Sequence, residues 1–277
     1  MNKKVSIIIP CYNQGRYVAE AIQSALDQTY KNIEIVCIND ASTDNTRDIV
    51  AKLAEEHKDK IIYIENPENK GVIYSRNRAI DTCSGEYILP LDADDMIKPT
   101  YVEKAVKVLA ENPEVGVVYC RVEEFGKKKR EWAQGNFDDM LFCNCVTNCS
   151  MFRKTDFLAV GQYKQYMKNG MEDWDLWLSF MEKGFAFYKI DEILLLYRMY
   201  KEESRSKQMH NHQEELYTNI VRNHPQLYLN SDACICNIFK TDYEPKYRKY
   251  KKLWNGCLVI AILELLVIIL FLWKFQR

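Results

Sequence analysis

Apolar residues in the first half of the chain follow two alternating rhythms. Val5–Ile9, Ile33–Ile38, Ile61–Ile64 and Tyr87–Leu91 are short runs rich in β-branched side chains, and Val115–Tyr119 repeats the pattern further on. Such runs, bounded by polar loops, suit strands covered on both faces. Between them apolar positions recur at three and four: Val18, Ala21, Ile22, Ala25 and Leu26 within Tyr17–Gln28, then Ile49, Val50, Leu53 and Ala54 in the stretch ending at His57. Ile73–Cys83 and Tyr101–Ala110 read as further helices. That spacing is the stripe of a helix packed on a sheet. Strand and helix in alternation predict an α/β fold with a mostly parallel, doubly wound sheet. Ligands bind such sheets at the carboxyl ends of strands, so the loops Pro10–Gly15, Asn39–Thr46 and Asp92–Asp95 are expected on one rim.

From Lys127 onward the rhythm is lost. Lys127–Arg130 reads as a charged turn, and Trp132–Asn148 has no clean period. This stretch and the one around Gly161–Gly170 are expected to build the walls of a substrate pocket. Met171–Trp177 opens a helix running to about Lys183, with Glu172, Asp173 and Asp175 in its first turn, where the helix dipole favours acids. Phe185–Ile190 and Glu192–Tyr197 read as two short strands, and Lys201–His224 as a polar helical stretch whose three histidines lie on solvated faces.

The tail differs in kind. Leu253–Trp273 is nearly all apolar over 21 positions, about 31 Å as a helix, enough to span a hydrocarbon core. Its one acid, Glu264, costs on the order of 3 kcal/mol there, small against so many Leu, Ile and Val side chains. Lys246, Arg248, Lys249, Lys251 and Lys252 outnumber Lys274 and Arg277 behind it, which keeps the large domain cytoplasmic by the positive-inside rule. The expected organisation is a catalytic-type domain over 1–206, a helical basic juxtamembrane region over 207–252 and a single membrane-spanning helix over 253–273. An amphipathic helix lying on the membrane surface is the alternative.

Composition narrows the class. With 277 residues, 47% hydrophobic and 28% charged, the chain can bury a sizeable core. A formal net charge of −1 excludes a generally basic nucleic-acid binder, so electrostatic roles must be local. The ten cysteines include Cys143/Cys145 and Cys234/Cys236, without the Cys-x-x-Cys spacing of zinc modules. They read as reduced thiols of a cytosolic compartment. Pro10 and Asn13-Gln14 cut the first apolar run short of a signal-peptide core, so no secretion signal is expected.

The densest chemistry lies in Tyr87–Asp95, where a short apolar run ends in Asp92, Asp94 and Asp95. Side chains two apart on an extended chain point the same way, so Asp92 and Asp94 can share a partner if the strand persists that far. Like charges so close need a cation. Mg2+ or Mn2+ takes carboxylate oxygens and keeps positions open for water and substrate phosphates, which suits a diphosphate clamp.

Six tags stand in register: Val5-Ser-Ile-Ile-Ile-Pro-Cys-Tyr-Asn13, Ala25-Leu-Asp-Gln-Thr-Tyr30, Ile38-Asn-Asp-Ala-Ser-Thr-Asp44, Ser75-Arg-Asn77, Gly85-Glu-Tyr87 and Leu91-Asp-Ala-Asp-Asp95. Together they resemble the nucleotide-sugar half of family 2 glycosyltransferases, inverting enzymes of the GT-A fold. The resemblance extends through Glu172-Asp173-Trp174 and Tyr197-Arg198, covering roughly residues 3–206. It implies that Pro10, Tyr12 and Asn13 hold the nucleotide, that Asp40 accepts a hydrogen bond from a uracil ring, and that Arg76 pairs with Asp40 or with phosphate. Asp92 is implied in ribose and metal contact and Asp94 in direct coordination of Mn2+ or Mg2+, with Asp95 behind them. Asp173 is implied as the catalytic base that takes a proton from the acceptor hydroxyl, Glu172 as a group that holds the acceptor, and Arg198 as a phosphate contact.

The implied activity is metal-dependent, inverting transfer of a hexosyl or N-acetylhexosaminyl group. The donor would be a nucleotide sugar, with uridine diphosphate the expected carrier, and the acceptor a membrane-proximal glycan or lipid-linked acceptor in cell-surface polysaccharide biosynthesis. Two departures stand out: Ala41 where the family commonly has Gly, and Tyr200 where a His often follows Tyr-Arg. They leave open a nucleotide-sugar-binding scaffold without turnover. A nucleotidyltransferase would want a Gly-rich phosphate loop, and Cys11–Gly15 offers one glycine.

Overall fold

Strand β1 (Val5–Cys11) is buried at every position but Pro10, as a β-branched run must be when both of its faces are covered. It forms the centre of a parallel group, pairing with β2 (Ile33–Asn39) on one side and β4 (Tyr87–Pro90) on the other, with Ile7 opposite Ile35 and Leu89. β3 (Ile61–Glu65) adds in parallel beyond β2. The connecting helices are α1 (Val18–Leu26), α2 (Thr46–Glu56) and α3 (Val72–Thr82). The stripe expected on α1 is the one buried, Val18, Ala21, Ile22 and Ala25. This computed structural model describes residues 3–126, 130–131, 137–199 and 212–229.

Past β4 the sheet is mixed, not mostly parallel as the alternation predicts. The full order is β3-β2-β1-β4-β8-β6-β9-β5, where β5 is Met96–Ile97, β6 Val115–Gly126, β8 Met151–Arg153 and β9 Ala186–Met199. A short β7 (Arg130–Glu131) pairs with β6. Between β5 and β6 lies α4 (Tyr101–Glu111). β8 runs antiparallel to both β4 and β6, and so separates them. Its three residues are too few for any periodicity to stand out from the surrounding loops, although Met151 and Phe152 are fully buried.

The two short strands expected over 185–197 are one continuous strand. Cys120 pairs with Ile190 and Arg121 with Ile193, so Asp191 and Glu192 bulge out of β9 and stay exposed. A polar pair that looks like a turn is a bulge in a strand. β9 then returns to the carboxyl rim: Met96 and Ile97, just after the three acids, pair with Leu196 and Leu195.

Helix α5 (Lys154–Ala159) follows β8, α6 (Glu172–Glu182) carries the acidic pair, and α7 (Gln213–Asn223) buries Leu216 and Ile220. Tyr217 of α7 meets Trp174 of α6 edge to face, ring centres 5.5 Å apart. The solvated faces expected of the three histidines hold for His212 but not for His224. His224 is 2% exposed and lies 3.2 Å from Asp175 and 3.1 Å from Glu182, bracing both ends of α6. Burial opposes its charge, and the two carboxylates overcome that and hold its pKa above the usual imidazole value. His210, Tyr200 and the apolar segment 253–273 lie outside the described residues. Among the described residues no helix is long and apolar enough to cross a membrane.

Candidate active site

The loops after β1 and β2 are joined by hydrogen bonds between backbone and side chain. Asn13 donates its N–H to Ser42 Oγ (3.0 Å), and its own Oδ1 accepts from the N–H of Thr43 (2.8 Å). Gly15 N–H reaches Asp44 Oδ2 at 3.0 Å. Asn13 (φ 54°) and Ala41 (φ 55°) both occupy the left-handed region, which a side chain other than glycine enters at a cost. Pro10 sits in β1 opposite Ile38, and Tyr12 is 47% exposed at the strand's end.

Asp40 is buried, and its carboxylate ties in the loop after β3. Oδ1 accepts from Asn66 Nδ2 (2.6 Å) and Lys70 N–H (2.9 Å), and Oδ2 accepts from Gly71 N–H (2.8 Å). In this arrangement it is engaged with backbone, and Arg76 is not among its partners.

β4 ends at Pro90, so Asp92 and Asp94 do not share a strand face. Leu91 N–H still bonds Ile8 O (2.9 Å), after which the chain turns, with Asp95 N–H on Asp92 O (3.0 Å). The turn leaves Asp92 and Asp94 half-buried and sends Asp95 inward. Asp95 Oδ1 accepts the N–H of Arg198 (2.8 Å). Burial first, then Asp94 and Asp92 beside it, push its pKa well above the usual carboxylate range. Arg198 donates Nε to Asp94 O (2.8 Å) and Nη2 to Glu20 (2.8 Å). Its guanidinium lies between the rings of Tyr17 (4.6 Å) and Phe125 (4.4 Å). The close of β9 thereby locks the acidic turn.

Arg76, on α3 and 3% exposed, bridges two remote acids. Nη2 bonds Asp92 Oδ1 at 2.6 Å and Nη1 bonds Glu172 Oε1 at 2.7 Å, while the guanidinium stands 5.5 Å from the centre of the Tyr163 ring. Burial would weaken its charge, and Asp92 and Glu172 more than reverse that, so it stays firmly cationic. A charge buried this deeply is tolerable only when paired. Of the two partners expected for Arg76, Asp40 or a phosphate, Asp40 is not the one it bonds; its pairing joins the acidic turn to the first turn of α6.

Asp173 follows Glu172 in that turn. Its Oδ1 accepts the N–H of Trp174 (2.9 Å) and its Oδ2 accepts Asn144 Nδ2 (2.9 Å). Burial and the neighbouring Glu172 raise its pKa from the ordinary 3.8 to about 6, against the opposing pull of Arg76 and these two donors. A carboxylate near 6 is ionised at neutral pH yet basic enough to take a proton.

The structure also brings in Asn148 and Tyr163. The Tyr163 hydroxyl donates to Asn148 Oδ1 (2.9 Å), and Asn148 Nδ2 lies 3.5 Å from Asp92 Oδ1. Burial raises the Tyr163 pKa, so it remains a neutral donor. Asn144, Asn148 and Tyr163 fall in the two stretches expected to form pocket walls, but nothing in their sequence neighbourhood singles them out. They become legible once Trp174 Nε1 is seen to bond Met140 O (2.7 Å) and Trp177 Nε1 to bond Val146 O (3.1 Å), which fixes 140–146 across α6.

The assembled site offers one partly shielded carboxylate with a raised pKa, two half-buried carboxylates in a turn, and arginines on both sides. Comparison with known proteins gives a concordant picture. The family model described as Glycosyl transferase family 2 matches residues 6–191. A Bacillus subtilis (strain 168) protein named as glycosyltransferase EpsE is 34% identical over 198 residues, 69% of this chain and 71% of the relative. TuaG of the same strain, named as a teichuronic acid biosynthesis glycosyltransferase, is 30% identical over 202 residues, 70% of this chain and 79% of the relative. The S. aureus TarS 1–349 crystal structure in complex with UDP-GlcNAc superposes with a TM-score of 0.68 at 18% identity, covering 86% of this chain and 73% of that one. That likeness concerns the fold.

Proposed function

The chain belongs to glycosyltransferase family 2 and is a glycosyltransferase, and from that premise we propose metal-dependent, inverting transfer of a sugar from a uridine diphosphate donor to a glycan or lipid-linked acceptor. The observation that carries the reading is the Asp92–Arg76–Glu172 bridge, which joins a diphosphate-type acidic turn to a helix turn bearing a base tuned to about 6.

In this reading Asp173 accepts the proton of the acceptor hydroxyl as that oxygen attacks the anomeric carbon. Glu172 is committed to Arg76, so it positions the turn instead of taking the proton itself. Pro10, Tyr12 and Asn13 line the nucleotide side, Asp40 shapes the base pocket through the 66–71 loop, and Arg198 faces the phosphates.

Asp94 and Asp92 suit a hard cation. Both are half-buried, and the described residues contain no cluster of three His, Cys, Asp or Glu able to chelate a metal alone. Mg2+ and Mn2+ bind through one or two carboxylates and complete their shell with water and substrate phosphate, which matches a two-carboxylate turn. When bound, the ion neutralises charge on the departing diphosphate.

TarS binds UDP-GlcNAc and TuaG is named for teichuronic acid biosynthesis. These support a uridine donor and a role in cell-surface polysaccharide biosynthesis. An apolar tail at 253–273 would hold the enzyme to the cytoplasmic face of a membrane where such acceptors are made, and removal of 253–277 should move the protein from the membrane to the soluble fraction.

The test is a donor panel with Mn2+ or Mg2+, following nucleoside diphosphate release with and without chelator. Chelator-sensitive release from one uridine sugar is expected. Release unaffected by chelator would remove the metal, and turnover of a guanosine sugar alone would overturn the donor assignment.

A further inference from the structure

Asn144, whose amide holds Asp173, is flanked by two thiols. Cys143 is exposed and Cys145 is 2% exposed, with their Sγ atoms 3.4 Å apart. Among the described cysteines Cys143 is the one open to solvent, whereas Cys11, Cys37, Cys83, Cys120, Cys145 and Cys149 are buried. A disulfide needs its sulfurs at about 2.05 Å, so this pair has roughly 1.3 Å to close.

The surroundings decide where that movement goes. Met140 and Val146 are tied to the indole nitrogens of Trp174 and Trp177, so both ends of the segment are fixed to α6. Asn144 sits at the middle of the strap, with its Oδ1 on Val146 N–H (3.3 Å) and its Nδ2 on the base. A 143–145 disulfide closes its ring through the backbone of Asn144, so the backbone adjustment that goes with the bond falls on that residue.

We propose that Cys143 and Cys145 form an oxidation site in which a peroxide closes a disulfide, withdraws Asn144 from Asp173 and switches transfer off. The inference rests on Asp173 being the base. Cys143 thiolate attacks one peroxide oxygen. The O–O bond breaks, the other oxygen leaves as hydroxide and is protonated to water, and Cys143 becomes a sulfenic acid. Cys145 sulfur then attacks Cys143 sulfur, the S–O bond breaks, and the hydroxyl leaves as a second water with the Cys145 proton. Two thiols are oxidised and one peroxide is reduced to two waters. Burial and the adjacent Cys143 push the Cys145 thiol up to about 12, which leaves the first attack to exposed Cys143.

Asn144 is thus a positioning residue. The groups that face Asp173 are Glu172 on its own helix, Arg76 from α3, Tyr163, the Trp174 amide and Asn144. Of the two hydrogen bonds to the carboxylate, the disulfide removes one. Losing a donor to an ionised carboxylate moves its titration up by about one pH unit. Misplacing a catalytic group by about 1 Å costs roughly 100-fold in rate.

The experiment uses the full chain, reduced, then treated with one equivalent of hydrogen peroxide, then re-reduced with dithiothreitol. Peptide mapping should show a 143–145 link lighter by two hydrogens. Oxidation should lower the turnover of the donor found in the panel by about 100-fold and shift the acid limb of kcat/KM up by about one unit, and dithiothreitol should reverse both. Cys143→Ser, or Cys145→Ala if burial makes one variant unstable, should keep full activity in peroxide. Absence of the link, or a link that leaves rate and pH limb unchanged, overturns the proposal. The premise is tested separately by reduced Asp173→Asn, since full activity there would sink the base assignment and leave the link standing. If no donor turns over, carboxyl NMR of Asp173 reads the same shift, and an unmoved titration overturns the switch.

Discussion

The rim formed by the ends of β1, β2 and β3 and the rim formed by α6 position their polar groups by different means. On the first, loops hold one another through backbone N–H groups: Asn13 with Ser42 and Thr43, Gly15 with Asp44, Asp40 with Lys70 and Gly71. Parallel register brings those loops together, and each bond is a modest local contribution. On the second, Glu172 and Asp173 are held by side chains distant in sequence, Arg76 and Asn144. There one buried cation serves two acids while a third sits alongside with its pKa raised. Damage to the first rim should be local and small, and damage to the second should reach charge balance and catalysis together.

The largest expected effect is on Asp173. Asp173→Asn should reduce kcat by about a thousandfold, within the range lost with a general base, while circular dichroism and thermal midpoint at pH 8 stay at or above those of the parent. The second half of that expectation follows from linkage. A raised folded pKa means this group's stabilising contribution is present below 3.8 and lost as pH rises through about 6, so at pH 8 removing the charge does not cost stability. The same titration places the acid limb of kcat/KM near pH 6, and a limb near 4 would show the base is elsewhere.

Arg76→Met comes next. It leaves buried Glu172 and half-buried Asp92 without their cation, and unfolding in urea should lose about 3 kcal/mol. A loss under 1 kcal/mol would mean the bridge is replaceable and the acidic turn is not coupled to α6 through it.

His224→Gln is expected to cost less, about 1–2 kcal/mol at pH 6, by removing the hydrogen-bonded ion pair with Asp175 and the ion pair with Glu182. The raised imidazole pKa makes that contribution complete below about 6.5 and lost as pH rises through the folded value. Parent and variant melting curves should therefore converge at alkaline pH, and a constant gap would contradict the assignment. Smallest of all, Ala41→Gly relieves a left-handed alanine at φ 55° and should stabilise by about 0.5 kcal/mol, since glycine's extra freedom in the unfolded chain offsets part of the gain. A destabilising Ala41→Gly would show that the first rim is less autonomous than its hydrogen bonds imply.

The same contrast separates what could be read along the chain from what could not. α1 buries its predicted stripe because a 3.6-residue period is a local property, and β1 and β2 show as continuous apolar runs because helices cover both faces. The acidic turn and the acidic pair were legible as tags of a resembling family. β8 left no trace because three residues carry no period, and Asp191-Glu192 imitated a turn because a bulge exposes the same polar types. His224 read as a surface residue, since its burial depends on Asp175 and Glu182 lying some 40 to 50 positions earlier.

By itself, then, the sequence determined the alternation of strand and helix, the carboxyl rim with its loops, and the identities of the acids that face it. The alternation and the loops follow from periodicity, whereas the acids are picked out by their place in the tags of the resembling family. Tertiary structure alone decided that the sheet turns antiparallel at β8, that β9 returns to lock the acidic turn through Arg198, that Arg76 joins Asp92 to Glu172 and not to Asp40, and that Asn144 holds the Asp173 carboxylate. Each of these is a contact across tens of residues, set by how buried charges must be neutralised once the chain has closed. No local pattern records that requirement.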